Sequence, residues 1–337
     1  MGPMNRTVVD TSPAATPAAP SPSTTPKPPR RSRQIRSTTP SVTRKAQTRL
    51  GLVLVAPLMA MVVVFLIFPL GNALYYAFVD FNGINPQPPF VGLDNFVELF
   101  KDPSVWAALK NNVIWIVLGT IAPLVIGLGL ALLVWGVPRG SLFYRIAFFF
   151  PYILPQVAVG VVWGWIYDPT RGWLNRGLEL VGLGSLGTGW LGNPDTALYA
   201  VLGTAVWATA GFVFVILLSA LRNVDTELVD ASLLDGAGPM SRLRYVILPQ
   251  IMPVFLMVTT ITLVGGFSVF DIVFIMTGGG PAGATEVLGT YAYGNAFQLN
   301  RISYGTALAL VLTLLAVPFA VWLNRLQRRL SLQGMGA

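Results

Sequence analysis

Charged residues are missing from six long stretches of this chain, at 50–79, 111–138, 146–167, 196–221, 245–270 and 302–324. Each is at least as long as the ~20 residues a helix needs to cross a hydrocarbon layer of roughly 30 Å. The apolar runs are continuous and do not alternate, so they predict helices and not the strands of a barrel. Trimmed at interfacial residues such as Asn111, Pro138 and Tyr245, they predict spans at about 52–79, 112–136, 145–167, 197–221, 250–276 and 303–325. The expected fold class is an all-α membrane protein of six transmembrane helices, with a permease domain over 46–330.

The connecting segments differ in kind. Residues 1–45 are rich in Pro, Ser, Thr and Ala and bury nothing, which predicts a disordered N-terminal tail. The apolar run that follows starts only near Leu50 and continues to Val79, too long for a signal-peptide core. In 80–110, Phe96-Val97-Glu98-Leu99-Phe100 predicts a short interfacial helix, and 168–195 ends in a glycine-rich turn. The loop 222–249 is the most informative. Leu228, Ala231 and Leu234 at helical spacing, with Asn223 or Asp225 as a cap, predict a short helix that Gly236 ends. A second short helix is expected to start at Pro239 and stop before Pro249. Four acids within eleven positions, beside the small Ala231 and Ser232, suit a segment that fits a groove on another protein.

Composition narrows the chemistry. The chain is 54% hydrophobic and only 11% charged, against about a quarter charged in soluble domains, which excludes an ordinary soluble globule. It has neither cysteine nor histidine, so disulfides, thiol nucleophiles, Cys/His zinc sites and histidine acid-base catalysis are all excluded. No catalytic residue, metal ligand set or phosphate-cradling Gly-x-x-x-x-Gly-Lys-Ser/Thr run is expected. The net charge of +8 resides entirely in residues 1–49 and the rest is neutral, which argues for an orienting tail and against nucleic acid. With that tail inside, inner segments hold 17 Lys/Arg and outer segments 5, so both termini are expected in the cytoplasm. Trp163, Trp165 and Tyr167 are expected in an interfacial aromatic belt, and Pro151, Pro155 and Pro253 to kink helices. Asp271, near the outer interface, is expected to pin the Thr277–Pro281 turn that follows it.

Two motifs carry a resemblance. Asp230-Ala231-Ser232, Asp235-Gly236-Ala237 and Val246-Ile247-Leu248-Pro249 resemble the cytoplasmic signature loop of permease subunits in binding-protein-dependent ABC importers. Phe270-Asp271 with Met276-Thr277-Gly278-Gly279-Gly280-Pro281, and Gly92-Leu93-Asp94-Asn95-Phe96 upstream, resemble the first permease subunit of maltose and glycerol-3-phosphate type importers. The similarity covers about residues 50–330. It implies the type I ABC importer permease fold in a bacterial plasma (inner) membrane. The implied partners are a second homologous permease, a cytoplasmic ATPase dimer that holds the ATP and Mg, an extracytoplasmic solute-binding protein, a sugar substrate and membrane lipid. This chain itself would hold no cofactor. The resemblance assigns ATPase coupling to Glu227, Asp230, Ala231, Ser232, Asp235, Gly236 and Ala237, and the substrate path to Trp207, Phe212, Thr262, Gly265, Gly266 and Val269. An ABC importer for another solute, such as a glycerol phosphate derivative or polyol, is the alternative. A proton-coupled secondary transporter would want acids and bases well inside the spans.

Overall fold

The computed structural model of the chain describes residues 44–137 and 140–334; the tail expected to be disordered lies, up to residue 43, outside them. Helix α1 (Arg44–Val62) passes through a π turn at Val63–Ile67 into α2 (Phe68–Tyr76). A hairpin bridged once, at Val79 and Phe90, leads to α3 (Asp94–Lys101), the short helix predicted around Phe96–Phe100. Helix α4 (Pro103–Trp135) starts where Asp102 accepts from the Ser104 N–H at 2.8 Å, with Pro103 in the first turn, where its missing N–H costs nothing.

The third predicted span is not one rod. Helices α5 (Ser141–Ile153) and α6 (Gln156–Ile166) meet at 96°. Pro155 has no N–H to donate and drives Leu154 into extended backbone, ψ 140°, so the helix must stop and restart. Pro151 and Pro253, by contrast, stay inside their helices. After α7 (Trp173–Leu180) comes α8 (Pro194–Leu221), with fourteen buried residues, the buried centre on which α4, α5 and α11 pack. Lipid is as apolar as leucine, so packing of this kind depends on close helix approach. Gly127 of α4 supplies it, since an added Cβ would lie 2.6 Å from Val213 Cγ1 of α8.

Helix α9 (Thr226–Leu234) is the short loop helix, followed by α10 (Pro239–Arg242). The expected stop before Pro249 does not occur. A π turn at Leu243–Ile247 joins α10 to α11 (Leu248–Phe267), and 239–267 forms one span. Both this turn and the one at Val63–Ile67 end two residues before a proline, Pro249 and Pro69. The wide turn lets Leu248 and Phe68 bond the carbonyls five residues back, and so absorbs the register step a proline forces. The predicted span 250–276 is likewise divided, because α11 ends at Phe267 and α12 (Asp271–Met276) restarts after a break. Helix α13 (Leu288–Tyr293) and a π turn at Gly294–Gln298 precede α14 (Ile302–Gly334). Among the described residues, five helices are long and apolar enough to cross a membrane, and the bent α5–α6 pair makes a sixth.

Candidate functional site

The breaks in α5–α6 and α11–α12 face each other across a cavity of about 280 Å³. From α8 comes Phe212, whose ring stacks on Tyr152 at 4.7 Å and 22°. Gln156 lines it just past the Pro155 break, with Thr209 on α8 and Ser268 at the end of α11. Neither Tyr152, Gln156 nor Thr209 was expected here. The only signal available for the first two was the proline between them, in a span otherwise free of charge.

Of the path residues expected from the sequence, five come together: Phe212, Thr262, Gly265, Gly266 and Val269 all line this cavity. Their roles differ. Thr262 is buried and its hydroxyl donates to the Val258 and Thr259 carbonyls of its own helix, both at 3.1 Å. An added Cβ on Gly266 would lie 3.1 Å from Ile116 Cα, so this glycine lets α11 close on α4. Gly265 has open space where its side chain would be. Trp207 is elsewhere. It stands five residues before Phe212, so the two side chains leave α8 about 140° apart. It faces a separate apolar groove beside Phe148 and Pro151, its ring edge-on to Trp163 at 5.4 Å. The aromatic belt is also revised. Trp165 is exposed, but Tyr167 is buried and its hydroxyl donates to the Ala200 carbonyl at 2.9 Å, and Trp163 packs on the core around Trp115.

Asp271 lines the cavity and is exposed, and it does not pin the turn that follows. That turn is held by Thr285, whose hydroxyl donates to the Gly280 carbonyl at 2.7 Å and shares a hydrogen bond with Thr277 at 2.7 Å. From Phe270, at the cavity wall, a ladder of rings runs through Phe274 and Tyr293 to the exposed Phe297, each step between 5.0 and 5.2 Å.

A polar network fixes the segment 277–301 over this end of the helices. The Asn111 side chain donates to the Ala284 and Glu286 carbonyls, and Asn112 Oδ1 accepts from the Leu288 N–H at 2.7 Å. The hydroxyls of Tyr291 and Tyr304 both donate to Asp102 Oδ2, at 2.7 and 2.6 Å. Burial pushes the Asp102 carboxyl up, but these hydroxyls and Ser104 outweigh it and hold the group below its ordinary value. Burial raises Glu286, although Thr290 donates to it.

The second site is the loop between α8 and α11. Asp225 caps α9 by accepting from the Glu227 N–H at 2.9 Å, as one of the two predicted caps. At the other end Gly236 has φ +77°, its N–H bonds Leu233 O at 3.0 Å, and the Ala237 N–H bonds Ser232 O at 2.9 Å. This pair of bonds is the Schellman closure, which needs a left-handed residue where the glycine stands. All seven candidate coupling residues therefore lie on one short helix and its cap. Val229 turns back onto the core around Leu217, whereas Leu234 is 91% exposed and Leu228 is also exposed. The Asp225 N–H also bonds Gln250 Oε1 at 3.0 Å, which ties the start of α9 to the start of α11. Helix α11 then runs about 17 Å from Gln250 to Ile261, where it meets the cavity.

Comparison with known proteins gives consistent results. Residues 123–332 match the family described as binding-protein-dependent transport system inner membrane component. A probable ABC transporter permease protein of Bacillus subtilis (strain 168) is 32% identical over 263 residues, 77% of this chain and 90% of that protein. The diacetylchitobiose uptake system permease protein of Streptomyces coelicolor is 33% identical over 276 residues, 78% of this chain and 77% of its own length. Among solved structures, a bacterial ABC transporter involved in import of the acidic polysaccharide alginate superposes with a TM-score of 0.73 at 22% identity, covering 84% of this chain and 96% of that one. That likeness establishes the fold as that of an ABC importer permease.

Proposed function

This chain belongs to the inner-membrane components of binding-protein-dependent transport systems, and we propose that it is one permease subunit of an ATP-driven sugar importer. The observation that carries the reading is the connection, through α11, between a half-polar cavity walled by the stacked Tyr152–Phe212 pair and the exposed helix α9. Aromatic faces suit the C–H faces of sugar rings, and Gln156, Thr209 and Ser268 offer hydrogen bonds to hydroxyls. A second permease completes the path, and a cytoplasmic ATPase dimer, which holds the ATP and Mg, receives α9 in its groove. Closure of that dimer on ATP moves α9 and α11 together and turns the cavity from one face of the membrane to the other. An extracytoplasmic binding protein delivers the sugar. This chain performs no hydrolysis.

The test needs the sugar first, found from thermal shifts of the cognate binding protein against a saccharide panel, and then uptake by cells carrying the whole complex. Gly265→Leu fills open cavity space and should nearly abolish uptake at normal membrane level. Phe212→Ala removes a stacking face, a loss of about 0.5–1.5 kcal/mol or roughly two- to tenfold in uptake. Trp207→Ala, outside the cavity, should do less. If Trp207→Ala is the most damaging of the three, the path runs elsewhere.

Sidedness follows the Lys/Arg asymmetry, with both termini and α9 cytoplasmic. The chain has no native cysteine, so single cysteines report cleanly. In intact cells an impermeant thiol reagent should label Ser185→Cys, in the exposed turn Gly184–Leu186, and reach Ser241→Cys only after permeabilisation. The reverse pattern would invert the topology.

A further inference from the structure

We propose that the groove between α4 and α14 holds an anionic phospholipid, with one acyl chain along its leucine floor and its phosphate beside Lys101 and Lys110. The groove encloses about 230 Å³, and every side chain that lines it is hydrophobic. Leu99 of α3, Leu288 of α13 and Leu308 of α14 form a buried floor, and Phe100, Trp106 and Leu315 stand exposed at the rim. The rim's single polar side-chain atom, Trp106 Nε1, donates to the Phe100 carbonyl at 2.9 Å, which fixes the indole at the mouth. From Ile302, where α14 starts, to Leu315 is about 20 Å along the helix, whereas one leaflet contributes about half of a hydrocarbon layer of roughly 30 Å. The groove therefore descends from the level of α3, the short helix read as interfacial, to the depth an acyl chain occupies.

The charge beside the groove is of one sign. Lys101 follows Phe100 at the end of α3, and Lys110 follows Leu109, one turn of α4 beyond Trp106. Both lysines are exposed, and neither is neutralised by an acid: among the described residues the single salt bridge joins Arg301 to Glu98. The nearby Asp102 carboxylate is engaged by Tyr291, Tyr304 and the Ser104 N–H. Side chains on a helix tilt towards its N-terminus, so the Lys110 stem leans back towards Trp106 and carries its ammonium towards the headgroup level. A cation beside lipid is costly without an anion, and a phospholipid supplies one on the same molecule whose chain fills the groove. A whole helix, about 10 Å across, is too broad to enter a groove of this volume, whereas a single acyl chain is not.

The test uses the whole purified complex in nanodiscs and does not depend on which solute is carried. Phosphatidylglycerol and phosphatidylcholine, each with a diazirine at the end of one acyl chain, are doped in turn at the same low level and photolysed. Adducts are located by peptide mass spectrometry. They should concentrate on 99–109 and 308–315, with the anionic probe favoured about fivefold or more, since attraction between one lysine and an anionic lipid surface is worth about fivefold. Lys101→Gln combined with Lys110→Gln should bring the ratio close to one while the adducts remain. Leu315→Trp, at the exposed rim, fills the groove and should remove the adducts of both probes. Equal labelling by the two probes, or a preference that the lysine replacements do not move, would make the groove ordinary lipid-facing surface and overturn the proposal. Labelling that survives Leu315→Trp would place the acyl chain outside the groove, with the same consequence. Absence of adducts here, while other apolar helices are labelled, would put a partner subunit over the groove and equally overturn it.

Discussion

Valine at position 211 should cost the protein its assembly. Gly211 lies where α8 crosses α5, and an added Cβ would overlap the Phe148 carbonyl oxygen, lie 2.7 Å from its carbon and 3.2 Å from Phe149 Cα. All three are backbone atoms, so no rotamer change relieves the contact and the helices must separate. Separation would pull Phe148 off Phe214, now edge-on at 5.3 Å, and Tyr152 off Phe212, so core and cavity loosen together. Overpacking of a tight core costs about 1–3 kcal/mol, and Gly211→Ala should already reach that range, with Gly211→Val beyond it. In cells a loss of about 1–2 kcal/mol changes abundance several-fold, so the valine variant should leave little intact complex. Gly129→Ala is the control, since nothing lies within 4 Å of its missing side chain. The measurement is the monodisperse complex recovered by size exclusion, with its thermal inactivation midpoint. Equal recovery and midpoint for Gly211→Val and Gly129→Ala would show that α5 and α8 do not approach as described.

The two sites differ in how far the sequence revealed them, and the reason is the range of the interactions that build each. Helix α9 is local. Its cap at Asp225, its length and its closure at Gly236 depend on residues within a dozen positions, and each was legible from spacing and residue type. The cavity is not local, because Tyr152 and Gln156 matter only through the 96° bend that turns them towards α8 and α11. A proline in a charge-free run does not announce what it will do. Pro155 ends a helix, Pro151 and Pro253 do not, and Pro69 and Pro249 are absorbed by π turns. The outcome depends on neighbouring backbone that can satisfy the freed carbonyls, which a single segment does not specify. The six apolar runs were legible because charge is excluded from lipid whatever the packing. Trp207 marks another limit, because the resemblance assigned both Trp207 and Phe212 to the path, and their five-residue spacing turns them about 140° apart on α8, so that only Phe212 lines this cavity.

Uncoupling is the expected result of two changes in α9. Gly236 sits at φ +77°, where a β-branched side chain is a genuine outlier, and left-handed backbone costs an ordinary residue about 1–2 kcal/mol. Gly236→Val should therefore open the closure made by the Gly236 and Ala237 N–H groups and let α9 fray from its end, where Leu234 is exposed. Gly236→Asn should be far milder, because asparagine tolerates the left-handed conformation. Ala231→Trp acts differently. Ala231 is exposed, so the indole should leave the fold intact and, under the proposed function, hold α9 away from the ATPase by bulk. The bond from the Asp225 N–H to Gln250 ties α9 to α11, so under the proposed function a displaced α9 should no longer transmit ATPase closure to the cavity. Both Gly236→Val and Ala231→Trp should insert and pair normally. In the purified complex they should either lose the ATPase or abolish the stimulation of hydrolysis by the loaded binding protein, with uptake falling in parallel. Trp207→Ala serves as the comparison, because it changes neither the loop nor the cavity. Should both loop variants retain the ATPase with full stimulation, α9 is not the coupling element, and the exposure of Leu228 and Leu234 needs another partner.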